Sequence, residues 1–260
     1  MLNSEQKKKI SNLVEVSLDR AESIWSVVDG DITLAESIST EAMVFDSALT
    51  VSSMIPSHPL VNENNPIIDE FIACVVDMRE SSKHLLCSLS KKTAKVSELK
   101  RVYYETSALL PAIAQTIEFS NGKVTEYLGD GVLALFQVPA TEGRADAIYS
   151  AHNAAKNCLS DTRQIINDAL SMRYNLPPIN IGAGMAFSKA IVSLVGLGED
   201  KQAKVIGSCV YYAAKLSGGV NEIYADEKLK SIWPKSKGGT LVFKQKNIKG
   251  VSGYLLAKEN

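Results

Sequence analysis

The sequence has few of the residues from which metal clusters and disulfide frameworks are built. Its 260 residues include four cysteines and three histidines, and no two cysteines form a CxxC or CxxxC pair. We therefore expect neither a zinc site nor a disulfide network, and we interpret the cysteines as small buried apolar residues. The histidines, His58, His84 and His152, have no ligand spacing and are expected at surface or packing positions.

Long apolar runs and charge of one sign are also missing. No stretch approaches the roughly 18–20 apolar residues of a membrane-spanning helix, and the N-terminus lacks the continuous apolar core of a secretory signal. The formal net charge is -1, which argues against a protein that coats nucleic acid or a membrane surface. The sequence thus predicts a cytoplasmic globular protein without nucleic-acid or membrane partners, although a local site for a phosphate-bearing ligand stays open.

The hydrophobic pattern divides the chain at a connector that contains three prolines, residues 55–66. Residues 4–28 have apolar side chains at helical spacing, and a second helical stretch is expected near 33–47. We therefore predict an N-terminal helical extension with its connector over 1–66, followed by a domain over 67–260.

The part of the chain after the connector mixes strand and helix patterns. Strands are predicted at 67–77, 122–128, 131–136, 179–187, 190–195, 241–246 and 253–257, with 190–195 as the hairpin partner of the strand before it. Helices are predicted at 81–90, 95–119, 142–173, 208–218 and 222–232. This order predicts an α+β fold, a sandwich of one mainly antiparallel sheet with helices.

Two aspartates lie at the ends of predicted strands. Asp130 stands in the turn Gly129-Asp130-Gly131, and Asp77 ends an apolar strand. Each has a simpler interpretation, because Asp-Gly favours hairpin turns and an aspartate after a strand can cap a helix. If the two strands are neighbours, however, the carboxylates meet and repel each other. A divalent ion such as Mg²⁺ or Mn²⁺ removes that conflict, and substrate phosphates usually complete its ligand set.

The turn after Asp77 has the composition of a phosphate-binding segment. Backbone N–H groups at the start of the predicted helix can bind a polyphosphate. Arg79, Ser81 and Ser82 are the candidate phosphate-binding residues, and Lys83 adds charge. Both charged side chains have an equally simple interpretation as solvated surface groups, which is also how we interpret the lysines near the C-terminus, Lys249 among them.

Four blocks, in this order, resemble the catalytic domain of class III nucleotide cyclases. They are FIACVVDMRESS, EYLGDGVLALF, INIGAGMAFSKAIVSLVG and KVIGSCVYYAAKLSG, and the similarity runs from about 67 to 258. The resemblance implies a ferredoxin-like-derived sandwich with two metal ions held by Asp77, Asp130 and the backbone carbonyl of Met78. It also implies in-line attack of a ribose 3′-hydroxyl on the α-phosphorus, release of pyrophosphate, and a homodimer with active sites at its interface.

The chain departs from that family at the positions expected to hold the nucleotide. Tyr211 and Lys215 stand where the family has Asn and Arg, so a hydrogen-bonding group and a catalytic positive charge are kept but the bidentate fork is lost. The two base-selecting positions carry Glu126 and Lys204, which fit neither the adenylyl nor the guanylyl pair. Met185 and Tyr211 replace smaller groups and should narrow the pocket.

A narrowed pocket with an unusual polar pair predicts a pyrimidine base. In this respect the chain is similar to the bacterial pyrimidine cyclases of Pycsar anti-phage defence, which implies that UTP or CTP is converted to cyclic UMP or cyclic CMP for a separate effector. Glu126 can accept from a base N–H and Lys204 can donate to a carbonyl, so both bases stay open, with a slight preference for UTP. Two alternatives are a purine cyclase, most plausibly for GTP because of Glu126, and a degenerate cyclase-like domain that binds nucleotide or a partner without turnover.

Overall fold

The structure of the protein, a computed structural model, describes residues 1–28, 50–86, 96–139, 142–235 and 239–258. The helices in these ranges are α1 (Ser4–Val28), α2 (Ser81–Leu86), α3 (Glu98–Glu118), α4 (Arg144–Asn157), α5 (Arg163–Tyr174), α6 (Ser208–Leu216) and α7 (Glu227–Ser231), and a π-helical turn (Cys158–Thr162) joins α4 to α5. The strands are β1 (Thr50–Ser52), β2 (Leu60–Asn62), β3 (Ile67–Met78), β4 (Lys123–Tyr127), β5 (Gly131–Gln137), β6 (Ile181–Val195), β7 (Gln202–Gly207), β8 (Ile223–Ala225), β9 (Leu241–Ile248) and β10 (Val251–Lys258). None of these helices has the length and apolar character of a membrane span.

One large sheet is built around β3. Its strand order is β4-β5-β3-β6-β8-β10-β9, and β7 pairs with the second half of β6. Neighbouring strands are antiparallel except β6 and β8, which run parallel. The central position suits β3, because its residues 71–76 are apolar and buried without a break, as in a strand covered on both faces. The predicted α+β fold with one mainly antiparallel sheet is confirmed.

Side chains alternate along β3 and enter two hydrophobic cores on opposite faces of the sheet. Ile72 belongs to the larger core, which α1, α3, α4 and α5 cover. Phe71 belongs to the smaller core, which α6 covers together with Ile55 and Val61 from the predicted connector. Three of the four cysteines, at positions 74, 158 and 209, are buried as predicted, and the fourth lies outside the described residues.

Helix α1 contributes to the larger core rather than extending away from it. One stripe of its apolar side chains is buried against α3 and α5: Ile10, Val14, Leu18 and Ala21. On the rim of this contact, Arg173 of α5 forms ion pairs with Glu15, Asp19 and Glu22 of α1. The N-terminal helix and the sheet therefore share one packed interior.

Two predictions about the second half of the sheet are wrong. Residues 181–195 form one continuous strand, not a strand followed by a hairpin partner at 190–195, because Ser188 and Lys189 stay extended and paired with β3. The turn comes later, where Gly196 and Gly198 have positive φ, and the partner strand is β7. Residues 222–232 are not one helix either: β8 pairs in parallel with β6, and α7 begins only after Asp226, whose side chain accepts from the N–H of Leu229.

Other predicted helices agree in part. The helix predicted at 142–173 is interrupted by the π-helical turn. The helix predicted at 81–90 is described only as far as Leu86, and the one predicted near 33–47 lies outside the described residues.

Candidate active site

Asp77 and Asp130 lie side by side at one end of the sheet. β3 and β5 are antiparallel neighbours in which Asp77 is opposite Gly131, so the turn before β5 brings Asp130 next to the end of β3. The backbone N–H of Met78 donates to the carbonyl oxygen of Asp130 at 3.0 Å, and the two carboxyl groups are close enough for the charge of Asp130 to raise the pKa of Asp77. The side chain of Met78 is buried in the larger core, so only its backbone faces this place.

The glycines around Asp130 make the close approach of the two aspartates possible. A Cβ on Gly131 would lie 2.8 Å from Oδ1 of Asp77 and 2.7 Å from the carbonyl oxygen of Val76. Gly129 has a φ of 86°, which L side chains rarely adopt. The Gly-Asp-Gly segment is therefore a hairpin turn that also places the Asp130 carboxylate close to that of Asp77.

The charge balance at the pair is unfavourable for two ionised carboxylates. The pKa of Asp77 is raised to about 6, mainly by burial; the charge of Arg79 opposes the rise, the charge of Asp130 adds to it, and the charge of Lys249 opposes it. The described residues contain no group of three or more His, Cys, Asp and Glu side chains placed to hold a metal ion, so the protein ligands for a metal here would be the two carboxylates and backbone oxygen. Hard oxygen donors with excess negative charge fit Mg²⁺ or Mn²⁺.

Arg79 lies directly on this pair. Its guanidinium forms an ion pair with Oδ2 of Asp77, and its backbone N–H donates to the carbonyl oxygen of Asn180 at 2.7 Å. The next residue, Glu80, has a φ of 60° and turns the chain into α2. Ser81 and Ser82, the other candidate phosphate-binding residues, begin α2.

The two residues at the predicted base-selecting positions meet, although their strands are not neighbours in the sheet. Nζ of Lys204, on β7, lies 3.1 Å from Oε2 of Glu126, on β4, and both side chains are about one-third exposed. A register shift between Val124 and Glu126 interrupts the pairing of β4 with β5 at this point. The pair presents a hydrogen-bond donor and an acceptor side by side to solvent.

Tyr211 and Lys215 lie one turn apart on α6. Nζ of Lys215 is 5.8 Å from the centre of the Tyr211 ring, and Tyr211 is exposed. α6 can approach β6 closely because Gly184 has no side chain. A Cβ at this position would overlap the carbonyl oxygen of Ala213. Met185, expected to narrow the pocket, points into the larger core on the other side of the sheet and is fully buried. That part of the expectation is wrong, and Tyr211 alone remains as a bulky substitution on this side.

Lys249 was missed as a neighbour of the site. It lies in the turn between β9 and β10, next to Gly218, and its charge lowers the pKa of Asp77. The Lys-Gly pair between two predicted late strands indicates a turn, but nothing in the sequence places that turn beside Asp77.

The site residues thus form two sets. The first set holds Asp77, Asp130, Arg79 and Lys249, and the second set holds Glu126, Lys204, Tyr211 and Lys215. In the part of the chain that the structure describes, no hydrogen bond, ion pair or ring contact joins a residue of the first set to a residue of the second, and the second set itself consists of two separate pairs, Glu126 with Lys204 and Tyr211 with Lys215.

Similar solved structures decide the fold family. A guanylyl cyclase, Cya2, matches with a TM-score of 0.57 and 17% identity over 75% of this chain and 94% of its own. The adenylyl cyclase CyaB from P. aeruginosa matches with a TM-score of 0.58 and 14% identity over 75% of this chain and 97% of its own. The fold is that of class III nucleotide cyclase catalytic domains. A third cyclase structure, the guanylate cyclase domain of RhGC from Catenaria anguillulae in complex with GTP, matches with a TM-score of 0.51 at 16% identity and covers 75% of this chain and 100% of its own.

Sequence comparison gives a weaker signal for the same cyclase fold. An adenylate cyclase of Anabaena cylindrica is 25% identical over 150 residues, which are 54% of this chain and 28% of that relative. The match thus spans little more than a quarter of the length of the relative. No protein-family model matches the chain.

Proposed function

We propose that the protein is a nucleotide cyclase that converts a pyrimidine nucleoside triphosphate, UTP or CTP, to the 3′,5′-cyclic nucleotide and pyrophosphate. The observation that carries the proposal is the pair of carboxylates, Asp77 and Asp130, on adjacent strand ends of a cyclase fold. A structural pair would have each carboxylate balanced by the protein, whereas here Arg79 is the one cation among the described residues that forms an ion pair with the two carboxylates.

The first set of residues would bind the metal and the phosphates. Divalent ions, Mg²⁺ or Mn²⁺, held by the two carboxylates and the carbonyl of Met78, would neutralise phosphate charge and favour ionisation of the ribose 3′-hydroxyl. Arg79, with Ser81 and Ser82, would bind the triphosphate. The 3′-oxygen then forms a bond to the α-phosphorus as the bond to the leaving pyrophosphate breaks, a displacement that depends mainly on positioning and charge.

The second set of residues would complete the site from another subunit. Tyr211 would hydrogen-bond the ribose and Lys215 would stabilise charge on the phosphates. Since no hydrogen bond, ion pair or ring contact of the described residues joins the two sets, we propose a homodimer in which each site takes the first set from one protomer and the second set from its partner.

The pyrimidine preference rests on Glu126 and Lys204. A carboxylate and an ammonium 3.1 Å apart match adjacent N–H and C=O groups on uracil, and Glu126 can equally accept from the amine of cytosine. The exposed Tyr211 ring is larger than the Asn of the family and would narrow the pocket for a purine. The product would act as a second messenger for a cyclic-nucleotide-binding effector, in keeping with the resemblance to anti-phage pyrimidine cyclases.

The test is incubation of the purified protein with each of the four ribonucleoside triphosphates and Mn²⁺ or Mg²⁺, with products identified by mass spectrometry. Cyclic UMP or cyclic CMP is expected, and Asp77→Ala should abolish it while Asp168→Asn, an exposed aspartate on α5, should not. Cyclic AMP or cyclic GMP alone would establish a purine cyclase instead. No product from any triphosphate would favour the degenerate domain.

The dimer proposal has its own test. Asp77→Ala and Lys215→Ala should each be inactive alone, but a mixture of the two should recover activity, because a mixed dimer has one intact site. A mixture that stays inactive after mixed dimers have been shown to form would contradict the shared site.

A further inference from the structure

The Arg79 guanidinium occupies the place beside Asp77 where the proposed function puts a metal ion. Its ion pair with Oδ2 of Asp77 is largely shielded from water, since the Arg79 side chain is only 12% exposed and that of Asp77 21%. Nε of Arg79 also lies 3.4 Å from the backbone carbonyl oxygen of Asp77. The contact is therefore a folded-back, shielded one and not a solvated surface pair.

The backbone explains why the side chain folds back. Residues two apart on an extended chain point to the same side, and the N–H of Arg79 continues the ladder of β3 by donating to Asn180. Arg79 therefore projects toward the side on which Asp77 lies. The left-handed turn at Glu80 then leads the chain into α2, which begins at Ser81.

A divalent cation and this guanidinium cannot share the same carboxylate oxygen. Both are positive, both need Oδ2 of Asp77, and repulsion between charges a few ångströms apart is strong where water is largely excluded. A metal ion that binds Asp77 must therefore push Arg79 aside. The displaced guanidinium then lacks an anionic partner, unless a phosphate group arrives with which it can form a bidentate pair.

We propose that Arg79 is an internal counter-ion of the Asp77–Asp130 pair, which the metal displaces and the triphosphate then takes up, so that metal and nucleotide promote each other's binding. This rests on the proposed function, because it requires the carboxylates to be metal ligands. Arg79 balances the charge of Asp77 before substrate arrives and becomes a phosphate ligand afterwards. The reciprocity of coupled binding requires that the nucleotide also tightens metal binding by the same factor.

The experiment is to measure Mn²⁺ binding to the full chain from the electron paramagnetic resonance signal of free Mn²⁺, without nucleotide. Arg79→Gln should bind Mn²⁺ roughly tenfold more tightly than the wild type, since the competing charge is gone. Arg79→Lys keeps a charge and should stay near the wild type. Lys83→Gln, a control that removes a nearby charge paired with Glu80, should leave the affinity unchanged.

The second arm adds 3′-deoxy-UTP or 3′-deoxy-CTP, which cannot cyclise. The analogue should tighten Mn²⁺ binding by several-fold more in the wild type than in Arg79→Gln, and the comparison between variants cancels chelation by the analogue itself. A general structural defect would weaken Mn²⁺ binding, so tighter binding is a signature that misfolding cannot produce.

Equal or weaker Mn²⁺ binding by Arg79→Gln would overturn the counter-ion role and leave the cyclase proposal standing. Adding Asp77→Asn to Arg79→Gln should weaken Mn²⁺ binding. If it does not, Asp77 is not a metal ligand, and both the proposed metal site and this inference are wrong. The two failures are thus distinguishable.

Discussion

Two shielded groups of charged residues flank α2, one around Asp77 at the start of the helix and one around Glu105, which contacts His84 of the helix. The two groups differ in how their charge is balanced. Before α2, Asp77 and Asp130 meet with one guanidinium close to them. After the first turn of α2, His84 donates to one oxygen of Glu105 at 2.8 Å, and Arg101 donates to the other oxygen at 2.8 Å. Glu105 is fully buried and yet both of its oxygens have partners.

The comparison separates a structural charge from a functional one. The group around Glu105 has one acid with a permanent cation and a histidine, so it can fix α2 against α3 without any ligand. The pair at Asp77 has two acids for one close cation, so its balance is incomplete until another cation arrives. Protein groups held in such an unfavourable state are typical of functional sites.

The largest expected effect is a loss of cyclase activity when a carboxylate of the Asp77–Asp130 pair is removed. Asp77→Ala or Asp130→Ala should lower cyclic-nucleotide formation by roughly a thousandfold or more, since the ligands that stabilise transition-state charge are lost. Asp130→Ala should not lower the melting temperature of the metal-free protein, because it removes the repulsion from Asp77 and leaves the Arg79–Asp77 ion pair in place. A clear loss of stability, seen by circular dichroism, would mean that this pair is structural after all.

The next largest effect is a loss of folding stability when the carboxylate of the Glu105 group is removed. Glu105→Ala leaves Arg101 buried without its partner and should lower the free energy of unfolding by roughly 3–5 kcal/mol. Glu118→Ala, on the same helix, removes only an exposed ion pair with Lys123 and should cost about 0–1 kcal/mol. Urea titration measures both, and near-equal costs for the two variants would break the comparison.

A smaller effect is expected in the pH dependence of stability without metal. The folded protein holds the Asp77 proton up to about pH 6, whereas an unfolded aspartate loses it near about pH 4. The stability that this group contributes is complete below the unfolded pKa and is lost as the pH rises through the folded pKa. In EDTA, Asp77→Asn should therefore gain stability relative to the wild type between about pH 4 and pH 7, and parallel profiles would argue against the raised pKa.

The smallest effect concerns Glu80, which stands between the two groups. Its left-handed φ of 60° is strained for a residue with a Cβ, so Glu80→Gly should stabilise the fold by about 0.5 kcal/mol after the entropy cost of glycine. The melting temperature would rise slightly, with Lys83→Gln as the control for the lost Glu80–Lys83 pair. A fall of several degrees would show that this glutamate does more than turn the chain.

The sequence predicted the elements whose pattern is local. α1 begins and ends where predicted because its apolar stripe continues without a break, and β3 is recognisable from its uninterrupted apolar run. The hairpin of β6 and β7 was misplaced because β6 is unusually long, at 15 residues, and its polar middle looks like a turn. β8 was missed because three residues in a parallel pairing with β6 give no periodic signal of their own.

The residues of the candidate site also divide into those with a local sequence pattern and those that are brought together only by the fold. Asp77 and Asp130 could be paired from sequence because each marks the end of a strand. The contact of Glu126 with Lys204 could not be derived from pattern, since it joins strands that are not sheet neighbours. Backbone turns with positive φ position the Arg79–Asp77 pair and bring Lys249 close to it. These turns could not be predicted, because glutamate and lysine, at Glu80 and Lys249, rarely adopt positive φ.

The most direct test of the central claim is a competition with all four ribonucleoside triphosphates at equal concentration, in the presence of Mn²⁺. Mass spectrometry of the cyclic products measures the relative kcat/KM values in one reaction. Cyclic UMP or cyclic CMP should exceed the purine products by roughly a hundredfold or more, and no product should form with Asp77→Ala. Predominance of cyclic GMP or cyclic AMP, or undiminished product with Asp77→Ala, would contradict the account.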